Sequence, residues 1–293
     1  MSDQARAKAS GLSYWSGPVN PKPLGGGLTN TNFVVEDEGR KYVVRIGEDI
    51  PVHGIMRFNE RAASQAAYMA GLSPKVVHCE QGVLVLDFIE SKTLEPADVR
   101  GPQMLAQIVG LLKRIHHDIP PHLEGPMLTF WVFQVLRNYT RTLKEDASRM
   151  VAGLPRLQQI SEELESAVGP VQLVFGHNDL LAANFLDDGS MLWVIDWDYA
   201  GFNSPLFDLA NLASNNEFGI DLEREMLACY FGSQPEGALW YSYSAMKCAS
   251  LLREAMWSMV SEKHSQLDFD YIQYTAENLE RFEQAYDSFR RLT

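Results

Sequence analysis

Three short polar side chains between Phe175 and Tyr199 have the types and spacing that phosphoryl transfer requires. The stretch Phe175-Gly176-His177-Asn178-Asp179-Leu180-Leu181-Ala182-Ala183-Asn184-Phe185 places a carboxylate and an amide five residues apart in a loop. The apolar run Val194-Ile195 then delivers a second carboxylate, Asp196. Transfer of a phosphoryl group to a hydroxyl needs one group that orients the attacking hydroxyl and accepts its proton, and oxygen ligands that hold Mg²⁺ against nucleotide phosphates. Asp179 fits the first role. Asn184 and Asp196 fit the second, because Mg²⁺ prefers hard oxygens and takes few of them from protein. Short Asp and Asn residues also cap turns, but turn chemistry alone does not account for three of them in this pattern.

Elements that could position such a set can be read on either side. Thr31 to Val35 and Lys41 to Ile46 read as two strands joined by the turn-rich Glu36-Asp37-Glu38-Gly39-Arg40. A helical pattern runs from about His53 to Met69 and stops at Gly71. Lys75 to Cys79 and Val83 to Asp87 read as a second strand pair around Glu80-Gln81-Gly82. From Gln103 onward helical periodicity dominates, as in Met104, Leu105, Ile108, Leu111, Leu112 and Ile115. Only about Phe185 to Asp196 returns to strands, around the turn Asp187-Asp188-Gly189-Ser190. The expected class is therefore α+β. Residues 1–90 are expected to form a small lobe around an antiparallel β-sheet, and residues 91–293 a mainly helical lobe, with the change of character near 87–92.

At 293 residues the chain is long enough for two such lobes. No uninterrupted apolar stretch approaches the ~20 residues of a membrane helix, and none follows Met1-Ser2-Asp3-Gln4, so a soluble cytoplasmic protein without membrane insertion is expected. Cys79, Cys229 and Cys248 are widely separated, which implies neither a disulfide framework nor a zinc site. A net charge of −13 argues against a nucleic-acid partner and is compatible with a cationic substrate, although acidity also serves solubility. The sequence leaves the oligomeric state open.

The pattern His177-Asn178-Asp179, Asn184, Ile195-Asp196-Trp197-Asp198-Tyr199, Asn203 and Asp208 resembles the protein-kinase-like small-molecule kinases, and among them the choline and ethanolamine kinases more than the aminoglycoside phosphotransferases. The resemblance extends from about Gly25 to Phe282 and implies a bilobal protein-kinase-like fold, with ATP and Mg²⁺ as cofactors. It places Gly26, Gly27, Asn30 and Thr31, in the run Gly25-Gly26-Gly27-Leu28-Thr29-Asn30-Thr31-Asn32, over the nucleotide phosphates. Glycine backbone approaches phosphate closely there, although a glycine run alone equally describes a surface loop. Val43-Val44-Arg45-Ile46 sits where protein kinases carry Val-Ala-Ile-Lys, so Arg45 is expected on the α and β phosphates with Glu60 holding it. The backbone from Asp87 to Ile89 is expected at a hinge beside the adenine. His177, Asn203 and Asp208 are expected to brace the catalytic loop, and the other histidines have no partner at metal spacing.

For the acceptor, the resemblance points to an aromatic box around an ammonium group. Trp257 matches one of its two tryptophans and Tyr199 its tyrosine, while Glu254 stands at the other tryptophan position. Asp198, where the family usually has Glu, is placed in the same pocket. An aromatic face attracts a quaternary ammonium through the ring quadrupole; a carboxylate suits any cation and especially one with N–H donors. Trp257 taken alone reads equally well as a helix-core residue. The expected enzyme is thus an ATP-dependent kinase of a small cationic alcohol, choline or ethanolamine. Aminoglycoside, thiamine, homoserine or methylthioribose phosphorylation shares the loop. A catalytically inactive nucleotide-binding regulator is the reading from another class, disfavoured by intact Asp179, Asn184 and Asp196.

Overall fold

The computed structural model describes residues 3–25, 29–265 and 267–292. In chain order its elements are α1 (Asp3–Ser10), β1 (Lys22–Leu24), β2 (Thr31–Asp37), β3 (Arg40–Ile46), α2 (Arg57–Met69), β4 (Val76–Glu80), β5 (Val83–Asp87), β6 (Lys92–Thr93), α3 (Pro96–Val99) and α4 (Pro102–Asp118). There follow α5 (Val132–Glu145), α6 (Leu154–Val168), β7 (Val174–Gly176), β8 (Phe185–Asp187), β9 (Leu192–Val194), β10 (Gly201–Asn203), α7 (Pro205–Asn215), α8 (Ile220–Phe231), α9 (Gly237–His264) and α10 (Tyr271–Arg290). The chain divides into two compact units. One runs to Leu94 and takes back Asp118–Met127 and Ala183–Tyr199; the other comprises Glu95–His117, Leu128–Ala182 and the chain from Ala200.

The first unit is built on an antiparallel sheet in the order β1-β2-β3-β5-β4. Alternation along β2 and β3 sends Phe33, Val35, Tyr42 and Val44 to one face, where they pack with Val83 and Val85 under Ala5, Ala9, Leu12 and Trp15. That helical cover was not legible in the sequence, because α1 is mostly polar and buries only two alanines. The sheet register pairs Arg45 with Asn32 on one side and Leu84 on the other. A small sheet of β6, β8 and β9 completes the unit. The hydrogen bond from Ile195 N to Asn184 O (3.0 Å) extends the β8–β9 hairpin by one pair, bringing Asn184 and the residue before Asp196 to one end of it.

In the second unit α9 is buried on almost every side and packs against α5, α6, α7 and α10. The short antiparallel pair β7–β10 carries the start of the candidate catalytic loop. Gly176 ends β7 where a side chain has no room: a Cβ there would lie 2.9 Å from Asn178 Oδ1 and 3.1 Å from Asp208 Oδ2. No helix among the described residues is long and apolar enough to cross a membrane.

Candidate active site

In the first unit the hairpin strand β3, the helix α2 and the segment after β9 converge on one buried ion network. Arg45 is buried and donates from Nε to Glu60 Oε1 (2.8 Å) and from Nη2 to Asp196 Oδ1 (2.8 Å) and Asp198 Oδ1 (3.1 Å). Arg57, one helical turn before Glu60, donates from Nη1 to Glu60 Oε2 (2.7 Å) and Asp198 Oδ1 (2.9 Å). A buried charge is tolerated only when paired and hydrogen-bonded, and here two guanidinium groups serve three carboxylates. Burial pushes the Glu60 carboxyl above its ordinary range, and the nearby Asp198 charge adds to that. For Asp198 burial acts the same way, but the charges of Arg45 and Arg57 outweigh it and hold the carboxyl below its ordinary range.

This arrangement relocates Asp198. Expected in the acceptor pocket, its carboxylate is 2 % exposed and filled from both ends: Arg45 and Arg57 on Oδ1, and Thr29 Oγ1 (2.7 Å) and Asn30 Nδ2 (3.0 Å) on Oδ2. Asp198 therefore ties the start of β2 to α2. Asp196, two residues earlier and on the same side of the chain, keeps a side chain 20 % exposed. Its φ of 69° lies in the left-handed region, which costs a non-glycine residue of order 1–3 kcal/mol and recurs at functional positions. Trp197 between them turns the other way and donates from Nε1 to Ser73 Oγ (2.8 Å). Asn184 is buried. Asn184 and Asp196 supply hard oxygen donors on one hairpin end, a set that suits Mg²⁺ completed by water and phosphate oxygens. Among the described residues no cluster of three or more His, Cys, Asp or Glu side chains offers a metal cage of another kind.

Of the other residues expected at the nucleotide, Gly26 and Gly27 lie outside the described residues. Thr31 opens β2 opposite Ile46, and Asn30 is engaged with Asp198. Asp87 ends β5 opposite Tyr42, and its backbone N–H donates to Lys75 O (2.9 Å). The Ile89 carbonyl accepts from Ser91 Oγ (3.1 Å).

In the second unit the loop carrying Asp179 is held from below by side chains of α7. Ser204 caps that helix by accepting from Leu206 N, and Pro205 opens it. Asp208, one turn in and fully buried, accepts from the backbone N–H groups of His177 (2.9 Å) and Asn178 (2.7 Å). Asn178 adopts φ 67°, and its side chain links Gly176 O (3.3 Å), Gly201 O (3.2 Å) and the amide of Asn203 (3.2 Å). Asn211 Oδ1 accepts from Leu180 N (2.5 Å), and Asn216 Nδ2 donates to Leu180 O (3.0 Å). The His177 ring accepts from Asp179 N (3.3 Å). His116, given no role from sequence, is buried between Asp208 (Nε2, 3.0 Å) and the Tyr230 hydroxyl (Nδ1, 2.6 Å).

Burial drives the Asp208 carboxyl up, yet the hydrogen bond and charge of His116 and the loop N–H groups prevail and hold it below the usual carboxylate range. It therefore contributes stability that is complete above about pH 4, the unfolded value, and is lost as pH falls through the lower folded one. Asp208→Ala strands two buried backbone donors and His116. It should lower unfolding free energy in urea by about 3–9 kcal/mol, at about 1–3 kcal/mol for each of the three unsatisfied groups; a loss below 1 kcal/mol would show that the loop is held by something else.

Two of the residues missed from sequence, Arg57 and Asn211, share one signal. Arg57 with Glu60, and Asp208 with Asn211, are polar pairs three apart on one helix face, and the second pair stands in a helix otherwise apolar from Leu206 to Ala213.

The acceptor-side residues are placed as follows. Glu254 is fixed on α9 by Arg253 Nη1 on Oε2 (2.9 Å) and by the Tyr274 hydroxyl on Oε1 (2.8 Å), and its side chain is 18 % exposed. Trp257 is buried, its ring 6.1 Å from that of Tyr271. Tyr199 is buried in the first unit. The Asp179 carboxylate is half-buried, and its charge reaches the same phenols as that of Glu254. Burial is the first cause that raises the Tyr274 and Tyr139 hydroxyls, and Glu254 and Asp179 both add to it.

An antiparallel-sheet unit with a buried Arg–Glu pair beside a partly exposed Asp, and a helical unit presenting an Asp on a rigid loop, define a phosphotransferase of the protein-kinase-like fold. The choline/ethanolamine kinase family model matches residues 22–234. A probable ethanolamine kinase of Arabidopsis thaliana is 29 % identical over 86 % of this chain and 75 % of its own. The crystal structure of a choline/ethanolamine kinase family protein from Mesorhizobium loti superposes with a TM-score of 0.80 at 27 % identity, covering 99 % of this chain and 96 % of that one. LicA, solved in complex with AMP, superposes at 0.77 with 21 % identity over 97 % and 100 % of the two chains. The chain belongs to the choline/ethanolamine kinase family.

Proposed function

We infer that the chain transfers the γ-phosphoryl group of ATP to the hydroxyl of a small amino alcohol, choline or ethanolamine. The observation that carries this reading is the Asp179 loop, its backbone held by Asp208, Asn211 and Asn216, in the same helical unit as Glu254, a carboxylate fixed on α9 by Arg253 and Tyr274. Asp179 orients the hydroxyl and accepts its proton as the oxygen forms its bond to phosphorus and ADP departs. Arg45, locked by Glu60, donates to the nucleotide phosphates. Asn184 and Asp196 would hold Mg²⁺, which when bound neutralises phosphate charge. The catalytic loop with Asp179 and the candidate acceptor residues Glu254 and Trp257 all belong to the helical unit, where Trp257 is a candidate wall for the ammonium.

A panel of hydroxyl acceptors assayed for ADP release with Mg-ATP tests this directly; turnover of an aminoglycoside or thiamine alone would defeat it. A second measurement concerns Glu254. Replacing it with Trp removes the carboxylate that N–H donors use and adds a ring face that attracts a quaternary ammonium by about 2 kcal/mol when desolvated. Glu254→Trp should therefore raise the choline-to-ethanolamine ratio of kcat/KM by about 10-fold or more. An unchanged ratio would remove Glu254 from the acceptor site.

A further inference from the structure

Glu254 is held by Tyr274, the first of a line of aromatic rings whose second member, Phe269, is open to solvent. Tyr274, which holds Glu254 Oε1, has its ring centroid 5.4 Å from that of Phe269; Phe269 lies 4.9 Å from Tyr271, and Tyr271 6.1 Å from Trp257. Trp257 and Tyr271 are buried, but Phe269 is 40 % exposed, next to the exposed Leu267. Phe269 is not a loose side chain on a wandering loop. Its N–H donates to Leu267 O (3.0 Å), its carbonyl accepts from Tyr271 N (2.9 Å), and Asp270 caps α10 by accepting from Gln273 N (2.9 Å). Scattered exposed apolar residues need no explanation. This one is fixed, edge-on, against the ring that orients the candidate ammonium-binding carboxylate.

The carboxylate itself is selective. Each oxygen of Glu254 already accepts one bond, from Tyr274 and from Arg253, and each retains further acceptor capacity in a direction those bonds set. An ammonium that carries N–H can use it. A trimethylammonium presents only methyl groups there. We propose that the acceptor is an amino alcohol whose protonated nitrogen keeps at least one N–H for Glu254 and bears an apolar N-substituent that lies on Phe269. This rests on the amino-alcohol reading above and goes beyond it in naming the substituent. The transfer is unchanged: the hydroxyl oxygen bonds to the γ-phosphorus, the bond to ADP breaks, and the proton passes to Asp179.

Purified full-length protein is assayed with Mg-ATP for kcat/KM on ethanolamine, N-methylethanolamine, N-butylethanolamine, choline and N-butyl-N,N-dimethylethanolammonium. A methylene buried on a half-exposed ring is worth about half of full burial, close to 2-fold each, so N-butylethanolamine should exceed ethanolamine by about 10-fold. Its dimethylated quaternary counterpart should fall below it by about 10-fold or more, because the N–H is gone. Phe269→Ala should bring the N-butyl-to-ethanolamine ratio to within about 2-fold of unity, a ratio that any general loss of enzyme leaves untouched. An N-butyl compound no better than ethanolamine, an advantage that survives Phe269→Ala, or a quaternary butyl compound as good as the secondary one each overturns the inference. Ethanolamine and choline turning over without a butyl gain overturns it alone; no turnover of any amino alcohol overturns it together with the proposed function.

Discussion

Asp179→Asn is expected to lower kcat by about 10²-fold or more while nucleotide binding, read by titration with ATP, stays within about 3-fold of the parent. Asparagine keeps the shape of the side chain and can still accept a hydrogen bond, but it cannot take the proton that the acceptor hydroxyl releases. The loop has supports besides this carboxylate. Its backbone is fixed by Asp208 below His177 and Asn178, and by Asn211 and Asn216 on either side of Leu180. A fall in kcat with little change in nucleotide affinity places the lost interaction in the transition state. Turnover at the parent rate would take Asp179 out of its assigned role, whatever its position in the loop.

The contrast between that loop and its supports shows what a sequence can and cannot disclose. Candidate residues close in sequence stand out together: Asp179, Asn184 and Asp196 lie in one 18-residue stretch. Their supports are distant. His116 meets Asp208 from 92 positions away, so neither its motif nor its periodicity could reveal the pairing. The β2–β3 hairpin was legible because two strand-like runs, Thr31 to Val35 and Lys41 to Ile46, flank the turn-rich segment from Glu36 to Arg40. By contrast β1, β7 and β10 span three residues each, too few for any period to register. The helix read from His53 begins instead at Arg57. Pro51 opens a separate 3₁₀ turn, and Gly54 at φ 75° ends it before α2 starts. Asp198 shows the opposite failure. Its motif fixed its place in the chain, but only the pairing of Arg57 with Glu60 across one helical turn reveals that its carboxylate belongs to the ion network.

That network also supplies the sharpest test of the metal assignment, because it contains two carboxylates two residues apart with different surroundings. Asp196→Ala should raise the Mg²⁺ concentration for half-maximal activity by about 10-fold or more. Asn184→Ala should do so less, since a neutral amide is the weaker ligand for an ion that recruits few from protein. The fold should tolerate the first change. Arg45 keeps Glu60 and Asp198 as partners, and the cluster moves from three carboxylates against two guanidinium groups to an even balance. Asp198→Ala makes the control. It removes a buried partner shared by both arginines, which is the kind of loss that costs about 3–5 kcal/mol of stability, and it also releases Thr29 and Asn30. Thermal or urea unfolding should therefore respond most to Asp198→Ala, and the Mg²⁺ titration most to Asp196→Ala. If Asp196→Ala and Asn184→Ala both titrate like the parent, the two side chains hold no metal, and the partly exposed position of Asp196 beside Arg45 needs another explanation.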